Sequence, residues 1–99
     1  MPPNRHVWVY LLASRKNGTL YVGVTSDIRT RVWQHRTGAI EGFTKQHRIT
    51  VLVYLEEFRS IRAAIDREKA LKGWNRARKV VLVEGKNLDW DDLAAKWFD

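Results

Sequence analysis

Residues 7–24, VWVYLLASRKNGTLYVGV, pass from strand chemistry to turn chemistry and back. Residues 7–13 and 19–24 are dense in β-branched and aromatic side chains, which suit a pleated surface. The intervening Ser14-Arg15-Lys16-Asn17-Gly18 ends in an Asn-Gly pair, which supplies the positive φ of a tight hairpin loop. An antiparallel hairpin is therefore expected. Downstream, Thr25-Ser26-Asp27 offers a helix N-cap, Ile28, Val32 and His35 recur at helical spacing, and Gly38 marks the stop. Residues 38–48 read as a loop carrying Phe43, Lys45, His47 and Arg48, and residues 50–57, TVLVYLEE, as a third, largely buried strand. Ser60 caps a helix running to Lys72 or Gly73. Trp74, Ala77 and Val81 keep helical spacing in a further helix, although VVLV at 80–83 alone would suit a strand. Residues 87–90 break the pattern, and residues 91–98 predict a short terminal helix. The expected fold is α/β of the α+β kind, a three-stranded antiparallel sheet flanked by helices in the order ββαβαα plus that C-terminal helix.

Ninety-nine residues suit one small domain, with a core over about 7–86 and an acidic, Trp-rich segment at 87–99. There is no Cys, so disulfide scaffolds, thiolate metal sites and Cys nucleophiles are excluded. The longest apolar run, Val7–Ala13, is too short to span a membrane. The polar Pro2-Pro3-Asn4-Arg5-His6 does not read as a secretory signal, and the expected compartment is the cytoplasm. The net charge of +7 is unevenly spread. Residues 1–83 hold 16 bases and six acids, a net of +10, whereas the remainder holds two bases and five acids, a net of −3. A body this basic favours an anionic partner, nucleic acid before membrane, although the same charge also serves plain solubility.

Three groups of residues have a chemical reading beside a structural one. Glu68 falls among Ile61, Ala64, Ile65 and Leu71, the apolar stripe of its helix, where a carboxylate needs a cation, donors or a metal. The alternative is a Glu at the edge of the stripe, reaching water or an Arg. Asp27, Arg31 and His35 align on one helix face at i, i+4 and i+8. Arg31 and His35 suit an anionic substrate, one bracing charge and the other moving a proton. The alternative is a solvated face with an Asp27–Arg31 pair. Tyr10 and Tyr21 lie on the hairpin strands, where cross-strand packing is the default. Gly23 sits two residues after Tyr21 on the same face, and Gly inside a strand often marks a close approach.

These residues resemble the signature of the GIY-YIG nuclease superfamily, in particular its small single-domain branch related to the nuclease domain of the excinuclease C subunit. The likeness runs from Val7 to Leu93: a Tyr, then YVG eleven residues on, an Arg ten residues after that second Tyr, a His four further, and later REKALKGWNRARK and KNLDWDDL. The resemblance implies catalytic roles for Tyr10, Tyr21, Arg31 and His35, one Mg²⁺ or Mn²⁺ held by Glu68, and Asn87 near the site. Gly23 and His47 are further site-adjacent candidates. It implies metal-dependent endonuclease chemistry on DNA, structure-specific or weakly sequence-specific, of the kind used in DNA repair. Trp8 replaces the Gly of the first motif element, so that element rests on Tyr10. Without a separate targeting module, specificity falls to a partner protein, a dimer, or Arg29, Arg36, Lys45, Arg48, Lys72 and Arg76 gripping the DNA backbone. The rival readings are a noncatalytic nucleic-acid-binding module on the same fold, and a small accessory protein whose interface is the aromatic stretch 90–98.

Overall fold

A computed structural model describes residues 6–98. The expected hairpin forms from β1 (Val7–Ala13) and β2 (Leu20–Thr25), and β3 (Val51–Phe58) pairs with the other side of β1. The antiparallel order is β2-β1-β3, which leaves β2 as an edge strand. In the hairpin loop Asn17 takes the left-handed conformation (φ 61°). Gly18 is needed for space instead. A Cβ there would come within 2.3 Å of Ser14 Oγ, which accepts a hydrogen bond from Thr19 N–H.

Both faces of the sheet are covered. Val7, Val9, Leu11 and Ala13 of β1 point into one core with Val22, Val53, Ala64, Leu71 and Val83. Tyr10 and Leu12 point the opposite way, into a second core with Ile28, Val32, Ile49, Leu52 and Ala94. This alternation follows from the period of two along a strand. A bulge interrupts it on β3: Leu11 pairs with Tyr54 and Leu12 with Leu52, so Val53 is an extra residue. Leu52 and Leu55 therefore pack on the Tyr10 face, while Val53 and Tyr54 pack on the other.

Local sequence accounts for most helix ends. In α1 (Ile28–Thr37) Asp27 Oδ1 accepts from Thr30 N–H, and Gly38 closes the helix at φ 71°. In α3 (Ile61–Gly73) Ser60 Oγ accepts from Ala63 N–H. In α4 (Arg76–Glu84) Asn75 Oδ1 accepts from Arg78 N–H. That cap and the inward packing of Val80, Leu82 and Val83 place VVLV in a helix. Two expectations are corrected. The loop after α1 contains a one-turn helix, α2 (Phe43–Gln46), too short to show a period. Residues 91–98 form consecutive turns in place of a helix. There Asp92 Oδ1 takes Ala94 N–H, and Leu93 N–H donates to Leu52 O at 2.8 Å, so the backbone is committed to a side chain and to β3. No helix among the described residues is long and apolar enough to cross a membrane.

Candidate active site

Tyr10 is the centre of the site. As the middle of the central strand it is 1% exposed, and its ring crosses the edge strand over its pairing partner Gly23. A Cβ on Gly23 would sit 2.4 Å from Tyr10 Cζ and Oη. The close approach that an intrastrand Gly suggests is thus the phenol itself. Tyr21, one pair further along the same face, has its ring centroid 6.5 Å from that of Tyr10.

His35 arrives from α1, two turns after Asp27. Its ring is buried, with centroids 6.2 Å from Tyr10 and 5.7 Å from Tyr21. Nε2 lies 3.4 Å from Tyr10 Oη, and Nδ1 lies 3.0 Å from Thr44 Oγ1. Burial, with the Arg31 charge, lowers the pKa of His35 below its ordinary 6.5, so the imidazole is neutral at pH 7. Burial first, and then Tyr21, pushes the Tyr10 phenol up to about 12, with Arg31 opposing the rise and Glu68 adding to it. At neutral pH Tyr10 is therefore a proton donor.

Arg31 and Glu68 complete the group. The Asp27–Arg31 pair does not form, because the Asp27 carboxylate accepts from Thr30 N–H (3.2 Å) and Thr30 Oγ1–H (2.8 Å), bonds that lower its pKa. No carboxylate pairs with half-buried Arg31 among the described residues. Glu68 belongs to the helix layer on the opposite face. However, α3 runs along β1 and the edge strand β2, and the Glu68 carboxylate is near enough to weigh on the Tyr10 phenol. Its side chain is only 12% exposed and meets Lys72 Nζ at 2.6 Å. The stripe that singled out Glu68 is narrower than expected: Ala64 and Leu71 are buried, but Ile61 is 54% exposed.

The remaining candidates divide by what already holds them. Arg29 donates to the Trp97 carbonyl and stacks near the Trp97 and Phe98 rings. Arg36 pairs with Asp92 and lies over Phe98. Arg76 donates to Asn17 O in the hairpin loop, Lys45 pairs with Glu41, and Lys72 with Glu68. Arg48 is exposed, with its backbone held at φ 53°. It lines a groove of about 350 Å³ with His35, Arg36, Thr44, Lys45 and Thr50. His47 stacks on Phe43, away from the tyrosines. Asn87 is buried, but its amide donates to Val53 O and Asp91 O and accepts from Asp91 N–H, which ties the tail to the β3 bulge. It does not touch the Tyr10–His35 group. Thr44 gave no sequence signal: a Thr in an aperiodic loop looks like any surface hydroxyl.

Residues 6–80 match the family described as the GIY-YIG catalytic domain. The chain is 35% identical to a UPF0213 protein of Staphylococcus haemolyticus over 77 residues, covering 78% of this chain and 93% of that one. It is 38% identical to a UPF0213 protein of Natronomonas pharaonis over 76 residues, covering 77% and 88%. Its fold is similar to the solution NMR structure of a UPF0213 protein from Bacillus halodurans, with a TM-score of 0.56 and 27% identity over 92% of this chain and 97% of the other.

Proposed function

The chain belongs to the GIY-YIG catalytic domain family, and on that premise we propose that it is a divalent-metal-dependent endonuclease, hydrolysing phosphodiester bonds in DNA with structure-directed or weakly sequence-directed specificity. The observation that carries the reading is the buried Tyr10–His35 contact, with an unpaired Arg31 beside it and the Glu68 carboxylate bearing on the same phenol. A packing role alone requires neither a carboxylate near a buried tyrosine nor a guanidinium beside it that pairs with no carboxylate among the described residues.

Glu68 fits a metal-binding role. Mg²⁺ is commonly held by one or two carboxylates together with substrate phosphates and water, so a single carboxylate at the edge of the site is sufficient on the protein's side. A Mg²⁺ or Mn²⁺ ion on Glu68 would supply Lewis-acid stabilisation of phosphoryl charge. The protein's own residues then divide the work. Tyr10 Oη orients the attacking water and accepts its proton while passing its own to neutral His35 Nε2. Tyr21 lines the same face and holds that water or the phosphate by its hydroxyl. As water attacks phosphorus and the P–O bond breaks, the leaving oxygen departs as an oxyanion that takes a proton from solvent water, and Arg31 balances the negative charge that accumulates on the non-bridging oxygens. Arg48, with Lys45 along the groove beside His35, suits the flanking backbone phosphates. Arg29 and Arg36 are already engaged by the C-terminal tail, which makes them weaker candidates for that grip. Of the tail's aromatic groups Trp90 is buried, and Trp97 and Phe98 are partly buried against the Tyr10-side core, which weakens the accessory-protein reading.

Purified protein incubated with branched, nicked and plain duplex DNA in Mg²⁺ or Mn²⁺ tests the reading. Cleavage is expected on at least one substrate. Glu68→Ala and Arg31→Ala should each reduce it by roughly 10²–10³-fold, and Arg31→Ala should keep most of the DNA affinity. Salt-sensitive binding with no product from wild-type protein would favour a noncatalytic binding module.

A further inference from the structure

We propose that Thr44 is a positioning residue: its hydroxyl accepts Nδ1–H of His35 and fixes the imidazole as the tautomer whose bare Nε2 faces Tyr10. The catalytic consequence rests on the nuclease reading above, but the tautomer does not.

The first support is where Thr44 sits. Of residues 41–48 it alone is buried, at 5% exposure, while Phe43 on the same one-turn helix is 50% exposed. A loop folded only to cover the core would turn the phenylalanine inward and the hydroxyl out. This loop does the reverse, and the hydroxyl it buries lies 3.0 Å from His35 Nδ1. The turn that presents it is held at its far end, where Thr44 O accepts from Ile49 N–H at 2.9 Å and Ile49 is fully buried.

The second support is the proton count along Tyr10, His35 and Thr44. A neutral imidazole has one N–H and one bare nitrogen. The Tyr10 phenol is buried and protonated, and its hydrogen-bond partner is His35 Nε2. If Nε2 carried the proton, the Tyr10 O–H would face a donor and lose that acceptor, which is costly in a buried site. With Nε2 bare, the Tyr10 O–H donates to it, Nδ1–H donates to Thr44 Oγ1, and every group in the chain is satisfied. The 3.4 Å between Tyr10 and His35 is loose, and such contacts commonly shorten when substrate arrives.

The test has a spectroscopic arm and a kinetic arm. In ¹⁵N-labelled protein near pH 7.5, the two ring-nitrogen shifts of His35 should report the Nδ1–H tautomer. Thr44→Val, which removes the acceptor at nearly constant volume, should shift the population toward Nε2–H. It should also lower kcat on cleaved DNA on the order of 10–100-fold with little change in KM. Thr44→Ser should restore both. Wild-type His35 in the Nε2–H form would overturn the proposal, and so would Thr44→Val that keeps Nδ1–H and full turnover. If Thr44→Val does not fold, the wild-type tautomer and its retention in Thr44→Ser decide the matter. A wild-type protein that shows the Nδ1–H form but cuts no DNA would refute the nuclease reading and leave the positioning role standing.

Discussion

Tyr54, Glu56 and Arg67 on one side of the sheet, and Tyr10 and Arg31 on the other with Glu68 bearing on Tyr10 from α3, use the same three chemistries to different ends. In the first group everything is closed. Arg67 grips Glu56 with two bonds of 3.0 and 2.8 Å, Tyr54 donates to the same carboxylate, and Arg67 also stacks on Trp74. In the second group Arg31 has no carboxylate partner among the described residues, Glu68 holds only an exposed lysine, and Tyr10 meets His35 at 3.4 Å. Both tyrosines are pushed up to about 12, chiefly by burial. A perturbed phenol therefore does not distinguish a structural cluster from a functional one. The distinguishing feature is spare capacity: the closed cluster has none, while the open one leaves a guanidinium with no carboxylate partner among the described residues and a carboxylate held only by an exposed lysine.

This contrast breaks if the two arginines behave alike. Arg31→Ala should lose activity by two orders of magnitude or more with little change in thermal midpoint. Arg67→Ala should do the opposite. It removes both guanidinium bonds from the half-buried Glu56 and should cost about 1–3 kcal/mol of stability, read by denaturant unfolding, while folded molecules keep their turnover.

Gly23→Ala is expected to give the next largest effect and to touch only the open cluster. The added methyl collides with the Tyr10 ring, which is rigid and buried and cannot yield cheaply. A destabilisation of about 1–3 kcal/mol should accompany at least a tenfold loss of cleavage. Alanine at 23 with unchanged activity would show that the position of the Tyr10 phenol is unimportant.

The smallest effects are in acid. His35 resists protonation when folded, whereas the unfolded chain protonates near 6.5. Stability should thus be full above that value, fall as pH drops below it, and level off once the folded pKa is passed. Activity should hold through 6.5 and fall only below it, where His35 takes up a proton. For Glu56, burial alone would raise the pKa, but bonds from Arg67 and Tyr54 and the Arg67 charge outweigh it and hold it below the usual 4.5. Its contribution should be full above 4.5 and vanish as pH falls through the lower folded value. Melting curves across this range should show two stages, the upper removed by His35→Gln and the lower, to which Asp27 also contributes, reduced by Arg67→Ala.

The hairpin, the third strand and the capped helices were readable because each depends on nearest-neighbour sterics or on a period of two or 3.6. The same periods placed Tyr21 and Gly23 on one strand face and His35 one turn after Arg31. Glu68 stood out as a carboxylate among apolar neighbours. Other features left no such trace. The bulge at Val53 changes which residues of β3 face the site, yet TVLVYLEE looks the same with or without it. The terminal segment reads as a helix until the Leu93–Leu52 bond and the Asp92 side chain are seen.

The sequence by itself determined the three strands, the three longer helices and the caps of α1 and α3, together with the residue types from which a phosphodiester site is proposed. The tertiary structure decided which of those residues are available. Arg29 and Arg36 look like DNA-gripping cations in the chain. Packing gives them to the Trp97 carbonyl and to Asp92, 68 and 56 residues away, and leaves Arg31 beside Tyr10 with no carboxylate partner among the described residues. It also brings Thr44 against His35 from a loop without a period. The physical reason is one of range: backbone preference acts over a few residues, whereas the partner of a charged or tautomeric side chain is set by whatever the folded core brings alongside it.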